Sequence, residues 1–404
     1  MRTPLRYPIL MVCLVMAIVI LFTTVVYTAE GEDILTTGSK GKRVREVKNR
    51  LKIYRCLGKD RVNNNYTELT AEAVRLFQRL NNLEETGEID EETEKLLFSD
   101  DAVYAPWPTL SPLATPCPAT EPEWPERDQQ GYLADDGEYF YENDDEGQWC
   151  YLSKKLQVYI RKGTDSSIPL EWFETEIYVR DGERLQTVMT NPERPATHYK
   201  YPDTIARDAG FVVGFSDDFY ADRKANKQTV GIIIREGQII YDKTNRDSSH
   251  HLPNLDMLAQ YPDGSLAVYR CNEITAQELV SKGAVNVFSF GPILIRDGEI
   301  NEQLYSYYRS TEPRQALGMI EPNHYFILSV CGRMKTSKGT MLQRVAEMMK
   351  NKGVTQALNL DGGNTMALVF RGRILNKKAT YKRRTFYRTL TSMIGFGKTD
   401  SMSD

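Results

Sequence analysis

Histidine is scarce: His198, His250, His251 and His324 are the only four in 404 residues. None belongs to an H-E-x-x-H pattern, which excludes the helix-borne zinc pair of a metalloprotease. The six cysteines (Cys13, Cys56, Cys117, Cys150, Cys271 and Cys331) form no C-x-x-C pair, so a zinc knuckle is not expected. Cys13 lies in an apolar N-terminal run. The other five are odd in number, so any disulfide set leaves one thiol over. Charge of one sign is also missing, with 51 bases against 55 acids, and no general attraction to nucleic acid follows. The chain is 41% hydrophobic and 26% charged, the balance of a globular protein rather than a disordered, collagenous or multi-span membrane chain. Its length predicts two or three domains.

What is present begins with an export segment. Arg2 and Arg6 precede an apolar run from Pro8 to Tyr27, the form of a secretion signal, and the run is long enough to span a bilayer. Residues 1–30 therefore read as a signal peptide or a signal anchor. The remainder is expected outside the cytoplasm, extracellular and wall-associated or membrane-anchored, touching a membrane only through this segment if it is retained.

Residues 33–100 carry three bursts of helix-period apolar spacing: Val44, Val47, Leu51; then Ala73, Val74, Phe77, Leu80; then Thr93, Leu96, Leu97. Spacings of three and four put each set on one helix face, predicting a three-helix bundle with Thr70 as N-cap of the second helix. The pattern Gly38-x-x-Gly41-x-x-Val44, Thr70-x-x-Ala73-Val74-x-x-Phe77-Gln78 and Leu83-x-x-Thr86-Gly87-x-Ile89-Asp90-x-x-Thr93-x-x-Leu96 resembles the peptidoglycan-binding domain of cell-wall hydrolases. The resemblance implies peptidoglycan or an anionic wall glycopolymer as partner, and no chemistry.

Residues 101–148 read as a linker. Seven prolines between 101 and 125 predict an extended spacer, and nine acids against one base in 126–147 predict a solvated loop. From 149 to 398 strand patterns dominate, among them Leu156–Ile160, Trp172–Val179, Gly231–Ile234, Ser265–Tyr269, Val285–Phe290 and Ile293–Ile295. Asp-Gly pairs at 181, 263 and 297 mark turns, and two helices are predicted, Thr275–Ser281 and Lys338–Asn351. The fold class is α+β: a small helical bundle followed by a larger, mixed, strand-rich domain, with residues 399–404 as a tail.

Three features of that domain carry chemistry. Ala357-Leu-Asn-Leu-Asp361-Gly-Gly-Asn-Thr365 places Asp361 at a strand end before a Gly362-Gly363 turn whose amides can form an anion nest. A hairpin, Gln315–Ile320 with Tyr325–Val330, puts Arg314 opposite Cys331 if Ile320 pairs with Tyr325. Arg333 then shares its face, and two guanidiniums together suit a phosphate. Gly214-Phe-Ser216-Asp217-Asp218 places carboxylates at another strand end, and glycoside hydrolysis uses paired carboxylates. Nine bases and no acids in 371–398 read first as a solvated surface and second as a site for anionic polymer. No cofactor motif is present; a divalent metal is left open, with no metal ligand assigned.

Together, Phe290-Gly-Pro-Ile-Leu-Ile-Arg-Asp-Gly298, Pro313-Arg314-x-Ala-x-Gly318, Gly332-Arg333 and Asn359-Leu-Asp-Gly-Gly363 resemble the phosphodiester glycosidase family, over roughly Ile205–Phe396. The resemblance implies cleavage of a sugar-1-phosphodiester into sugar and phosphomonoester. It implies Asp361, Arg314, Arg333 and Asp218 as catalytic residues, and Gly362, Gly363, Asn364, Thr365, Ser216 and Cys331 as substrate contacts. This chain departs from the family in having Ser216 for Asn, Cys331 for Asp, and Asn364-Thr365 for Gly-Ser. The wall module and proline linker resemble exported proteins of Gram-positive bacteria. Two other readings stay open at this level: a non-catalytic wall-binding protein with a degenerate glycosidase fold, and a Cys-dependent wall transferase built on Ser329-Val-Cys331-Gly-Arg333.

Overall fold

The structure, a computed structural model, describes residues 34–54, 56–57, 60–99, 101–105, 124–165, 168–194, 197–227, 230–242, 255–304 and 310–403. The expected export segment and most of the proline-rich spacer lie outside the described residues. Among the described residues no helix is long and apolar enough to cross a membrane. The chain divides into two compact units, with the boundary between Thr109 and Leu110.

The first unit is the expected bundle. Helices α1 (Lys42–Ile53), α2 (Glu68–Leu80) and α3 (Glu91–Leu97) bury Val44, Val47, Leu51, Val74, Phe77 and Leu97 in one core. The N-cap of α2 is corrected. Thr67, not Thr70, caps it: Thr67 Oγ1 accepts from the Thr70 amide at 3.3 Å and Thr70 Oγ1 accepts from the Thr67 amide at 2.9 Å. Thr70 thus fills the third helical position of a capping box, a role usually taken by Glu or Gln.

The second unit is built on a nine-stranded sheet with the order β1-β2-β3-β4-β15-β14-β16-β12-β13. Its strands are β1 (Tyr139–Asn143), β2 (Gln148–Leu152), β3 (Leu156–Asp165), β4 (Leu170–Val179), β15 (His324–Val330), β14 (Arg314–Glu321), β16 (Gln356–Leu360), β12 (Ile293–Arg296) and β13 (Glu299–Ile300). One face packs on helix α7 (Leu342–Lys350) through Leu294, Ala316, Leu328, Val345 and Met349. The other face meets two five-stranded sheets. The first has the order β10 (Leu266–Tyr269), β9 (Asp256–Gln260), β11 (Asn286–Phe290), β7 (Ile232–Arg235), β8 (Gln238–Asp242). The second has the order β18 (Arg373–Ile374), β17 (Leu368–Phe370), β6 (Val213–Phe215), β21 (Ser392–Phe396), β5 (Gln186–Met189). Leu317, Ile327 and Leu358 from the large sheet, Leu258 and Phe288 from the second and Phe215, Phe370 and Phe396 from the third close one core. A separate hairpin, β19 (Ala379–Tyr381) with β20 (Arg384–Phe386), stands apart from these sheets. The short helices are α4 (Pro202–Ala209), α5 (Tyr220–Ala225) and α6 (Ala276–Ser281), the last capped by Thr275 as expected. Every recorded strand pair is antiparallel, in keeping with α+β.

Three expectations are corrected in this unit. The acidic stretch 126–147 is not a solvated linker: β1 lies within it. Its carboxylates pair with bases of the C-terminal stretch, Glu142 with Arg371 at 2.6 Å and Arg373 at 3.0 Å, and Asp144 with Arg373 at 2.6 Å. Residues 399–403 are not a loose tail either, since the Ser403 amide donates to the Arg371 carbonyl at 2.7 Å and Arg371 Nε donates to the Ser401 carbonyl at 2.7 Å. The β14–β15 register is one residue off the expectation: Arg314 faces Val330, because the register shifts between Met319 and Glu321. A β-bulge there takes up one unpaired residue.

Candidate active site

The site forms where β14 and β16 end. Gln315 pairs with Leu360, so Arg314 and Asp361 are the first residues beyond that last pair. The chain then turns through Gly362 and Gly363. A Cβ on Gly362 would lie 2.3 Å from the Pro313 carbonyl oxygen, and Gly363 has φ +62°. Only glycine meets both demands without displacing the backbone. Across the opening, the chain after β15 reverses at Arg333, itself left-handed with φ 57°. These segments enclose a cavity of about 300 Å³ lined by Arg314, Arg333, Asp361, Gly362, Gly363 and Asn364, with Phe290, Glu312, Tyr381 and Arg388 completing its wall.

The arginines are held by different means. Arg333 donates from Nε to Glu312 at 2.7 Å and from Nη1 to Asn364 Oδ1 at 2.7 Å. Arg314 donates from Nε to the Thr340 carbonyl at 3.1 Å and from Nη2 to the Ser310 carbonyl at 2.6 Å. Among the described residues no carboxylate pairs with it. Burial, reinforced by the like charge of Arg333, pulls Arg314 down to about 10. It stays protonated at neutral pH, and its charge is incompletely balanced by the protein.

Asp361 is the complementary group. Its Oδ2 is buried and has no hydrogen-bond partner among the described residues, an uncommon condition for a carboxylate oxygen. Burial raises its pKa above the ordinary carboxylate value, while the charges of Arg223 and Arg388 and the Thr365 hydroxyl pull it back. Its amide donates to the Asp217 carbonyl at 3.1 Å, which ties the β16 end to the segment after β6.

The structure thus brings Asp361, Arg314, Arg333, Gly362, Gly363 and Asn364 to one cavity. It removes Asp218: one carboxylate oxygen pairs with Arg235 at 2.9 Å and the other accepts from the Ser289 amide at 3.0 Å, in a fully buried position. Ser216 is buried and donates to the Asp361 carbonyl at 3.3 Å, supporting the site from behind. Thr365 is buried and accepts from Arg388 Nη1 at 3.1 Å. Cys331 is buried beside the central core, and burial pushes its thiol up to about 12. None of these four lines the cavity. The expected nest is also reduced: the Gly363 amide is spent on the Pro313 carbonyl at 3.0 Å, and the Gly362 amide alone has no acceptor among the described residues.

Two arginines close to Asp361 carry no signal in the sequence. Arg388 lay hidden in the basic stretch; in the structure it lines the cavity with its guanidinium 5.2 Å from the Phe219 ring centre. Arg223 on α5 is buried against Phe290, 4.3 Å from the ring centre, with Nη1 unpartnered among the described residues, and burial lowers its pKa. No spacing marks it, because the partner ring comes from β11. Among the described residues no group of three or more His, Cys, Asp or Glu is placed to hold a metal ion.

Comparison with known proteins agrees with this division. Residues 209–396 match the phosphodiester glycosidase family model, and residues 40–97 match that of a peptidoglycan binding domain. A curated relative is the SPbeta prophage-derived uncharacterized protein YomE of Bacillus subtilis (strain 168), 27% identical over 181 residues, 44% of this chain. The match spans 28% of that protein's length. Among solved structures, the catalytic domain of the zebrafish N-acetylglucosamine-1-phosphodiester alpha-N-acetylglucosaminidase, auto-inhibited by its pro-peptide, aligns with a TM-score of 0.47 and 17% identity, covering 61% of this chain and 83% of that one. A hypothetical protein from Synechocystis aligns with a TM-score of 0.40 and 15% identity, covering 60% and 62%.

Proposed function

We propose that this chain is an exported, cell-wall-associated hydrolase that cleaves the glycosidic bond of a sugar-1-phosphodiester, releasing sugar and a phosphomonoester. The observation that carries the reading is the meeting of an unpartnered, buried carboxylate oxygen on Asp361 with Arg314, Arg333 and Arg388 around one cavity. Arginine forks match phosphate oxygens, and the match of residues 209–396 to the glycosidase family supports the same chemistry.

In this reading the phosphodiester lies against Arg314 and Arg333. The bond from the anomeric carbon to the phosphate oxygen breaks, and its electron pair leaves with the phosphate. The two guanidiniums neutralise the charge that develops there. Phosphate is a good leaving group, so strong acid assistance is not required. Water adds its oxygen to the anomeric carbon and gives up a proton to the departing phosphomonoester, which releases it to solvent. Ionised Asp361 faces the developing positive charge at that carbon and orients the water or a sugar hydroxyl. The peptidoglycan-binding unit keeps the enzyme on the wall, and the N-terminal apolar run delivers it there.

A cysteine-dependent transferase has no support in this geometry. Cys331 is buried with its thiol pushed up to about 12, and His324, at the opposite end of β15, pairs with Glu176 at 2.8 Å. The hydrolase reading is tested by incubating the purified protein with a panel of sugar-1-phosphodiesters and wall teichoic acids and resolving the products. Free sugar together with phosphomonoester is expected; no free sugar from any substrate would leave a wall-binding protein without this activity. Separately, the full chain is expected to sediment with purified sacculi and a chain lacking residues 34–105 is not.

A further inference from the structure

We propose that the β19–β20 hairpin is a second anion subsite, gripping a phosphate adjacent to the one in the cavity, so that the substrate is a chain of repeating phosphodiesters. This rests on the hydrolase reading above. The hairpin is fastened to the cavity wall. Asn364, which accepts from Arg333, donates through Nδ2 to the Ala379 carbonyl at 2.7 Å and the Phe386 carbonyl at 3.3 Å, and the Thr380 amide donates to the Arg333 carbonyl at 3.4 Å. Tyr381 lines the cavity and is 42% exposed. Its ring centre lies 5.3 Å from the Arg333 guanidinium carbon and 5.3 Å from Lys382 Nζ. One ring therefore links a cation inside the cavity to a cation at the hairpin tip, no further apart than twice that distance. Adjacent phosphates of a polyol phosphate chain can bridge such a gap.

The basic stretch divides in a telling way. Arg371 and Arg373 are consumed by Glu142 and Asp144, and Arg388 holds Thr365. Lys382, Arg383 and Arg384, all exposed at the tip, have no carboxylate partner among the described residues. Lys382 and Arg383 also occupy the left-handed region, with φ 46° and 66°, in a two-residue turn where Asn-Gly is the favoured pair. Neither local propensity nor internal pairing accounts for three cations here. A visiting polyanion does.

The turn supplies its own control. Replacing Lys382→Asn together with Arg383→Gly removes two charges and installs the favoured turn, so the fold is preserved. Binding to the full chain is measured by fluorescence anisotropy with labelled poly(glycerol phosphate) and, as competitor, a monomeric glycerol phosphodiester. The wild type is expected to prefer the polymer. The double variant should lose roughly tenfold in polymer affinity at low salt, with a shallower salt dependence, so that the preference collapses. Polymer affinity and salt dependence equal to wild type would overturn the proposal. So would equally tip-dependent binding to phosphatidylglycerol vesicles, which would assign the tip to a lipid surface. Tip-dependent polymer binding by a protein that releases no sugar from any sugar-1-phosphodiester would remove the hydrolase reading and leave the subsite standing.

Discussion

Arg314 and Asp361 are the first residues beyond the last β14–β16 pair, Gln315–Leu360, and both line the cavity that opens there. The ends of these two strands thereby bring a cation and a carboxylate to one cavity. Arg314 has its other donors anchored on the Ser310 and Thr340 carbonyls, so its head is positioned before any substrate arrives.

That anchoring predicts that charge alone is insufficient. Arg314→Lys and Arg333→Lys keep the cation and lose the fork. Each is expected to lower turnover of a sugar phosphodiester by about a hundredfold, corresponding to roughly 2–4 kcal/mol of transition-state stabilisation. Circular dichroism and thermal melts should remain close to wild type. Unaltered turnover in both variants would contradict phosphate binding by these arginines.

The pH profile follows from Asp361. Burial raises its pKa while Arg223 and Arg388 oppose the rise. If the ionised form acts, activity is lost as pH falls through that raised value, so the acid limb lies above the ordinary carboxylate range near 4. Arg388→Gln removes one opposing charge and should move the limb to higher pH, whereas Arg388→Lys should leave it nearly in place. A limb that moves the other way, or follows side-chain shape and not charge, would exclude Asp361 as the titrating group.

Asp217 gives a stability prediction of opposite sign to the usual paired carboxylate. Burial, and then the charge of Asp218, push it up to about 6 in the folded protein. The folded state therefore holds its proton more tightly than the unfolded chain does. Asp217 contributes most favourably below pH 4, and stability falls as pH rises from about 4 to 6. Asp217→Asn keeps an acceptor for the Phe219 amide, now bonded at 2.9 Å. It should stabilise the protein by about 1–3 kcal/mol at pH 7, the gain vanishing below pH 4. Chemical denaturation across that range provides the check.

Thiol chemistry offers a clean exclusion. Cys150 and Cys331 are buried, each pushed up to about 12 by burial, and a protonated, enclosed thiol is inert. Iodoacetamide treatment of the native protein should leave turnover unchanged. Inactivation that disappears in Cys331→Ser would restore the transferase reading.

The sequence was most informative where local pattern and local structure coincide. The three helices of the first unit, the Asp-Gly turns and the Asp361-Gly-Gly turn were all visible, because periodicity and left-handed turn positions act over a few residues. Arg314 and Arg333 do meet at one cavity, but strand alternation does not bring them there: with Arg314 opposite Val330 the expected shared face is lost, and the left-handed turn at Arg333 beyond β15 supplies the meeting instead. A single bulge moved the partner of Arg314 from Cys331 to Val330, and bulges leave little local trace. Asp218 misled because its partner, Arg235, is 17 residues away on β7. The acidic stretch looked solvated for the same reason, since Arg371 and Arg373 lie 229 and 231 residues from Glu142. Long-range ion pairs of this kind convert apparent loops and surfaces into sheet and core.

The central claim is that the bond broken lies between the sugar and the phosphate oxygen, and oxygen-18 water reads this directly. Hydrolysis of a sugar-1-phosphodiester in labelled water, followed by mass spectrometry of the phosphomonoester, is expected to give phosphate with no added label, because water adds to the anomeric carbon. Label in the phosphate would show attack at phosphorus, and the chain would then be a phosphodiesterase and not a glycosidase.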